Sequence, residues 1–339
     1  KQKVKKNKVV KNQNLNWCFL IPLIFIIAVV PLITFAKVIK IEGAELQNWK
    51  GGDTHIDFFS YWKAVWLQVF TWISLALYLV LLKLKKVPFK NEKKYYIPMV
   101  IYAIFVILSA VTSENQIVAM RGFIELFQGM WVLLCYIMIT FLVINYINNE
   151  KDVKILLFAF IFSASVIGII GIGQYLGLDL FKTLIGRKLI LPKELYDSLL
   201  NSLKFTFGRY TIYATLYNTN FVGSFGTMLF PISLTLFLFA KEKKLRILTG
   251  IFSFITFSFF FLLFIRTKAS IVNGIANNKP ILPEMALTIS DAIESKFIIS
   301  LKLLSKPMNI KIVAKEPPVY ANTKVFTMVP IISLPIEKP

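Results

Sequence analysis

The chain alternates between long apolar runs and short polar segments that are rich in lysine. The first apolar run begins at Trp17 and continues to about residue 39. Six further runs cover about 64–82, 95–112, 130–147, 155–176, 219–240 and 247–265, and none of these six contains Asp, Glu, Lys or Arg. One charge at the centre of a bilayer costs roughly 2.5 kcal/mol or more, so uncharged runs of this length are typical of membrane spans.

These runs predict an all-α fold, a polytopic transmembrane helix bundle of about seven spans in a domain covering residues 17–265. Only α-helices and closed β-barrels satisfy every backbone polar group inside lipid, and the runs lack the alternation of a barrel strand. The basic segment 1–16 before the first run is also typical of a signal peptide. The apolar run that follows is too long for one, so we interpret 17–39 as a signal anchor.

Lysine and arginine concentrate in alternate loops, which predicts the orientation in the membrane. The basic segments are 1–16, 83–94, 148–154 and 241–246, with six, six, two and four lysines or arginines. This bias places the N-terminus in the cytoplasm and the loops 40–63, 113–129 and 177–218 outside. The tail 266–339 has eight prolines and no run long enough to span. It is predicted to be an irregular extracytoplasmic segment.

Composition narrows the class of protein further. Hydrophobic residues make up 56% of the chain and charged residues 17%, too little polar surface for a soluble globule. The net charge is +21, and the basic residues lie between the apolar runs. Anionic membrane lipids are therefore the expected partners, and nucleic acid is not. Cys18 and Cys135 fall in apolar runs and are interpreted as packing residues. With a single histidine, His55, no metal site or cofactor is expected.

Two polar segments next to predicted spans could carry chemistry. Tyr217, Asn218 and Asn220 stand where the sixth run begins, either as a helix cap or as a polar cluster that contacts a glycan or a phosphate headgroup. Arg121 and Glu125 are spaced i, i+4, so on one helix they share a face and can form an ion pair. The alternative role for Arg121 is binding an anionic phosphate with its fork of donors.

Two outer loops carry further candidates. The loop 177–218 holds six basic residues against the orientation bias, namely Lys182, Arg187, Lys188, Lys193, Lys204 and Arg209. They bind either anionic headgroups or a pyrophosphate-linked substrate. In the loop 40–63, His55 between Asp53 and Asp57 is a candidate base, although such aromatic-rich loop ends are more typical of interfacial anchors.

Small residues recur at helical spacing in the fifth run. They are Ala164, Gly168, Gly171, Gly173 and Gly177. Small side chains let helix backbones approach closely, so this pattern predicts a helix-packing face.

The segment Leu216–Ser224, followed by an apolar run through Phe230 and Pro231, resembles the "N-P-N-x-x-G" helix start of the O-antigen ligase and polymerase-like family. The segments Ile56–Lys63, Arg121–Glu125 and Phe264–Ser270 also look like segments of bacterial members. The resemblance covers roughly residues 17–272 and differs at Thr219, where the family usually has Pro. The family's large outer loop rich in Arg and His is missing, so the chain is interpreted as a truncated or C-terminally divergent member.

The resemblance implies transfer or polymerisation of a glycan carried on undecaprenyl diphosphate, at the outer face of the bacterial cytoplasmic membrane, without a metal or a nucleotide sugar. It assigns catalytic roles to Arg121, Glu125, Arg209 and Arg266, and substrate-binding roles to Arg187, Lys188, Tyr217, Asn218, Asn220 and Lys268. The chain as given is expected to be inactive if it is only a fragment. The alternative function is a non-enzymatic transporter or a flippase for lipid-linked oligosaccharides, which should show internal repeats and charges at mid-membrane.

Overall fold

The computed structural model describes residues 17–49, 52–147, 149–203, 205, 207 and 211–276. The predicted roles of the basic segment 1–16, of Arg209 and of the tail beyond residue 276 therefore lie outside the described residues. The chain divides into two units, Lys1–Phe260 with Ile332–Pro339, and Phe261–Ile331. All packing considered below belongs to the first unit.

The described residues are mostly helical. The helices are α1 (Ile21–Ala28), α2 (Ala44–Asn48), α3 (Tyr61–Lys83), α4 (Lys93–Val111), α5 (Gln116–Arg121), α6 (Met130–Tyr146), α7 (Glu150–Tyr175), α8 (Leu184–Ile190), α9 (Tyr196–Leu199), α10 (Thr219–Phe239) and α11 (Lys243–Ala276). The strands are β1 (Lys37–Lys40) and β2 (Thr54–Asp57), which form an antiparallel pair.

Four of these helices, α3, α4, α7 and α10, are long and apolar enough to cross a membrane, and α6 is a shorter apolar helix. The prediction of a multi-pass helical membrane protein is confirmed at this level. In α4 the side chains of Phe105 and Ile97 are 67% and 58% exposed. Such exposure is unfavourable in water but neutral in hydrocarbon, as expected for a helix that faces lipid.

The prediction of one continuous helix over 17–39 is wrong. The α-helix ends at Ala28, and the chain becomes extended at Ile33 before it enters β1. Pro31 explains the break, because it has no N–H to donate and its ring clashes with the preceding turn of a helix. Pro22, in contrast, lies in the first turn of α1, where proline is tolerated.

The predicted start of the irregular tail at residue 266 is also wrong. Helix α11 continues to Ala276, past Arg266 and Lys268. Proline is absent from the helix and first follows it at position 280, so nothing in this stretch removes a helical hydrogen bond.

The helix bundle of the first unit is built around α1, α3 and α6. Helix α3 packs against α1 and α6, and α1 also packs against α7. At the lysine-rich end, Asn145 accepts hydrogen bonds from Tyr78 Oη (3.1 Å) and from the backbone N–H of Lys90 (3.0 Å). These contacts join α3, the α3–α4 loop and α6.

The predicted small-residue face of α7 is confirmed as a packing surface at Gly168 and Gly171, whereas Gly177 lies beyond the end of the helix. A Cβ atom added at Gly168 would lie 2.8 Å from Ile255, and one added at Gly171 would lie 2.3 Å from Phe259, both on α11. Only glycine allows this approach between the two helices.

The three loops predicted to face outside meet at one end of the bundle. The Phe35 N–H donates to the carbonyl of Phe58, and the Ala36 N–H donates to the carbonyl of Ile190. Phe59 and Tyr213 pack edge to face at 6.0 Å in a shared aromatic core. The strand pair and the segment before α10 therefore form one layer over these helix ends.

Candidate functional site

Three polar side chains from three different loops converge at this end of the bundle. The Glu125 carboxylate accepts a hydrogen bond of 3.0 Å from the hydroxyl of Tyr217. The same carboxylate oxygen lies 3.8 Å from Nε2 of His55. The side chains of His55 and Glu125 are only 15% and 14% exposed. We call these three residues the Glu125 cluster.

Strand β2 positions His55. His55 faces Ile39 of β1 across the strand pair, and its ring packs edge to face against Trp49 at 4.9 Å. Asp57, two residues further along the strand, accepts hydrogen bonds from the backbone N–H groups of Ser60 (2.9 Å) and Tyr61 (2.8 Å). Asp57 thus fixes the junction between β2 and α3.

A tight turn presents Glu125. Gly122 ends α5 with φ 95° and ψ 155°, a conformation essentially reserved for glycine. Glu125 and Phe127 also have positive φ, 70° and 49°. Non-glycine residues rarely adopt this region, and such strain is concentrated at functional sites.

The predicted shared helix face of Arg121 and Glu125 is therefore wrong. Arg121 is the last residue of α5, and the chain reverses direction at Gly122. Arg121 instead forms an ion pair with Glu45, whose side chain is only 4% exposed. The i, i+4 spacing predicted a pair only on the assumption that the helix continued.

The segment before α10 presents Tyr217, and several buried hydrogen bonds hold this segment in place. Gln174 of α7 accepts the backbone N–H groups of Tyr213 (3.0 Å) and Ala214 (2.7 Å) through Oε1. Lys63 Nζ donates to the carbonyl of Thr215. Tyr217 itself has φ 68°. The backbone therefore reaches a strained conformation supported by contacts from α3 and α7.

Burial sets the protonation of the cluster. Desolvation lowers the pKa of His55 to about 4, so the imidazole is neutral at pH 7. Desolvation also raises the pKa of Glu125, and this effect is larger than the lowering of the pKa by the hydrogen bond from Tyr217. Burial first, and the charge of Glu125 second, raise the pKa of Tyr217, which keeps its proton. A carboxylate so placed can accept a proton from a hydroxyl group.

Two other predicted site residues, Arg187 and Asn218, form hydrogen bonds outside the cluster. Arg187 of α8 donates from Nη1 to the carbonyl of Leu200 (3.2 Å), and Lys188 is exposed. The Asn218 side chain accepts the N–H of Asn220 (2.8 Å), which is the helix-cap alternative. Arg266 and Lys268 lie on α11 in the second unit.

Glu125 and Tyr217 were predicted as site residues, His55 was favoured as an interfacial anchor, and the supporting roles of Lys63 and Gln174 were not predicted. The spacing of His55 and Asp57 was an available signal, because residues two apart lie on one face of a strand. Nothing local pointed to Gln174, whose partners lie 39 and 40 residues away.

Within the described ranges, no group of three or more His, Cys, Asp or Glu residues could hold a metal ion. Comparisons with protein-family models, with curated proteins and with solved structures find no match to this chain.

Proposed function

We propose that the protein transfers or polymerises a glycan carried on undecaprenyl diphosphate at the outer face of the bacterial cytoplasmic membrane. The observation that carries the proposal is the Glu125 carboxylate, shielded from water and hydrogen-bonded to the Tyr217 hydroxyl at a shared end of apolar helices. A base shielded from water in this way suits an acceptor hydroxyl that arrives on a membrane-bound substrate.

In this proposal Glu125 acts as the general base. It takes the proton from the acceptor hydroxyl as the acceptor oxygen forms a bond to the anomeric carbon of the donor sugar. The bond from that carbon to the diphosphate breaks, and its electron pair leaves with undecaprenyl diphosphate. Tyr217 holds the carboxylate in position, and Arg121, four residues before Glu125 in the chain, is the proposed cation that stabilises the leaving diphosphate.

The orientation belongs to the same proposal. Helices α3 and α10 begin next to residues of the Glu125 cluster and end at the lysine-rich loops 83–94 and 241–246. Under the positive-inside rule these loops face the cytoplasm. The N-terminus then lies inside and the cluster faces the outside, where the proposed transfer takes place.

The test is glycan transfer by the full chain in lipid vesicles. The donor is an undecaprenyl-diphosphate glycan, and the acceptor is either a lipid-anchored oligosaccharide or a second copy of the donor. Glu125→Gln keeps the shape of the side chain and removes the base, so transfer should fall by roughly 10²–10⁴-fold. Glu42→Gln is the matched control, because the Glu42 side chain is 74% exposed and pairs with Lys40. Equal rates for the two variants would refute the proposal.

A further inference from the structure

The loop that follows α7 has two parts whose exposed side chains differ in character. In residues 194–202 the exposed side chains are all polar, namely Glu194, Asp197, Ser198, Asn201 and Ser202. In residues 178–189 five aliphatic side chains are 41–75% exposed, namely Leu178, Leu180, Leu184, Ile185 and Leu189. We call these five the outer apolar face. Exposed apolar side chains grouped in this way mark a surface that contacts a protein or a membrane.

The other side of residues 178–189 packs against the protein. Phe181 is buried in the aromatic core that contains Phe59 and Tyr213. A Cβ atom added at Gly186 would overlap the carbonyl oxygen of Leu180, so α8 lies directly against the turn before it. The segment therefore has a fixed orientation, in which the outer apolar face points away from the core.

The outer apolar face continues a stripe of exposed side chains on α7. Phe162, Ile169 and Leu176 are spaced seven residues apart, which places them on one face of the helix, and each is more than half exposed. Helix α7 is long and apolar enough to cross a membrane, where such a stripe faces lipid. The stripe ends at Leu176, two residues before the outer apolar face begins at Leu178.

The chain turns back at this point and stays beside the end of α7. Gly177 has φ 86°, and its N–H donates to the carbonyl of Gln174 (3.1 Å). The Leu178 N–H donates to the carbonyl of Gly173 (2.8 Å). These two hydrogen bonds form a Schellman motif, which ends a helix and reverses the chain. Leu178 is therefore held at the level of the last turn of the apolar helix.

The charges of the segment also suit a membrane surface. The one acidic residue in 178–189 is Asp179, which is buried and pairs with Lys182 at 3.5 Å. Lys188, next to Leu189, is exposed. A lysine in this position can lay its methylene groups along apolar surface and keep its ammonium group among anionic headgroups. An aliphatic face bordered by a cation fits a phospholipid surface, where hydrocarbon lies directly beneath phosphate groups.

We infer that residues 178–189 lie in the membrane surface at this end of the bundle, with the outer apolar face at the boundary between headgroups and acyl chains. Lys188 then contacts phospholipid headgroups and has no part in binding a pyrophosphate-linked substrate. The Ala36 N–H donates to the carbonyl of Ile190 at the end of α8 (2.7 Å), so the embedded segment also ties the β1–β2 layer to the bilayer. This placement holds whichever reaction the Glu125 cluster catalyses.

The test measures how often a nitroxide spin label collides with oxygen, which concentrates in hydrocarbon, and with a water-soluble nickel chelate. The full chain is placed in vesicles of phosphatidylcholine and phosphatidylglycerol. Labels are attached one at a time to Leu178→Cys, to Ile185→Cys and to the matched control Ser198→Cys, each in a chain that also carries Cys18→Ala and Cys135→Ala. Ser198 is an exposed residue of α9 in the same loop.

The labels at 178 and 185 should collide more often with oxygen, at a depth of about 5–10 Å, whereas the label at 198 should collide more often with the chelate. Equal access of the chelate to all three labels would place the outer apolar face in water. Labels at 178 and 185 that meet neither reagent would show that protein covers the face, either a second copy or another part of the chain. Either result would overturn the inference.

A second measurement uses the unaltered chain, in case the cysteine-free background folds poorly. The chain is irradiated in vesicles that contain a phospholipid with a photoactivatable diazirine on its acyl chain, and the adducts are mapped by mass spectrometry. Adducts should form in 178–189 and on the exposed stripe of α7, but not in 194–202. Adducts on the α7 stripe without any in 178–189 would also overturn the inference.

Discussion

Replacing Gly122 by alanine should destabilise the protein by more than the cost of its backbone conformation alone. The φ of 95° and ψ of 155° at Gly122 cost an L-residue roughly 1–3 kcal/mol. The new Cβ would also lie 2.4 Å from the backbone nitrogen of Gln128 and 2.6 Å from that of Gly129. These are backbone atoms of the same tight turn, so they cannot move aside without moving Glu125.

Gly177→Ala is the matched control for this prediction. Gly177 also has a positive φ, 86°, but no atom of a neighbouring segment lies within 4 Å of the position that its Cβ would take. The control therefore measures the conformational cost alone, about 1–2 kcal/mol. Gly122→Ala should exceed it by at least about 1 kcal/mol, measured as the free energy of unfolding in mixed detergent micelles. A difference below about 0.5 kcal/mol would show that the turn adapts freely and that the strain at Glu125 is not imposed by Gly122.

Two further predictions follow from the burial of titratable side chains. Arg121→Gln should destabilise the protein by about 1–3 kcal/mol because it leaves the buried Glu45 carboxylate without its partner, and adding Glu45→Gln should restore most of the loss in the same unfolding assay. The folded pKa of His55, about 4, is below its ordinary value of 6.5, so the unfolded chain binds the proton first and stability should fall as pH decreases from about 6.5 to 4. His55→Gln should remove this part of the pH dependence, and an unchanged slope would contradict the assignment.

The long helices could be predicted because an uncharged apolar run long enough to cross a bilayer satisfies its backbone hydrogen bonds there as a helix. The break at Pro31 was harder to predict, since the apolar character continues beyond it and the β1–β2 pairing depends on a partner strand further along the chain. The error at Arg121 has a similar origin. A spacing of four residues indicates a shared face only if no residue between them reverses the chain, and Gly122 does.

The Glu125 cluster could be predicted only in part, because its contacts join residues far apart in the sequence. Glu125 and Tyr217 stood out as polar residues at the ends of apolar runs, where a membrane protein can carry chemistry. Their hydrogen bond joins positions 92 residues apart, and no local pattern encodes such a pairing. His55 was a candidate base, but the anchor role was favoured because aromatic-rich loop ends are more typical of interfacial anchors.

The order in which the cluster residues occur along the chain has a consequence for biosynthesis. His55, Glu125 and Tyr217 precede α3, α6 and α10 respectively, so each emerges from the ribosome just ahead of a different apolar helix. The strained turn at Glu125 is synthesised well before Gln174 and the segment that Gln174 holds, which carries Tyr217. A nascent chain halted before this segment would therefore contain Glu125 without the hydrogen bond from Tyr217. Glu125 gains this partner only when the last of the three loops has been synthesised.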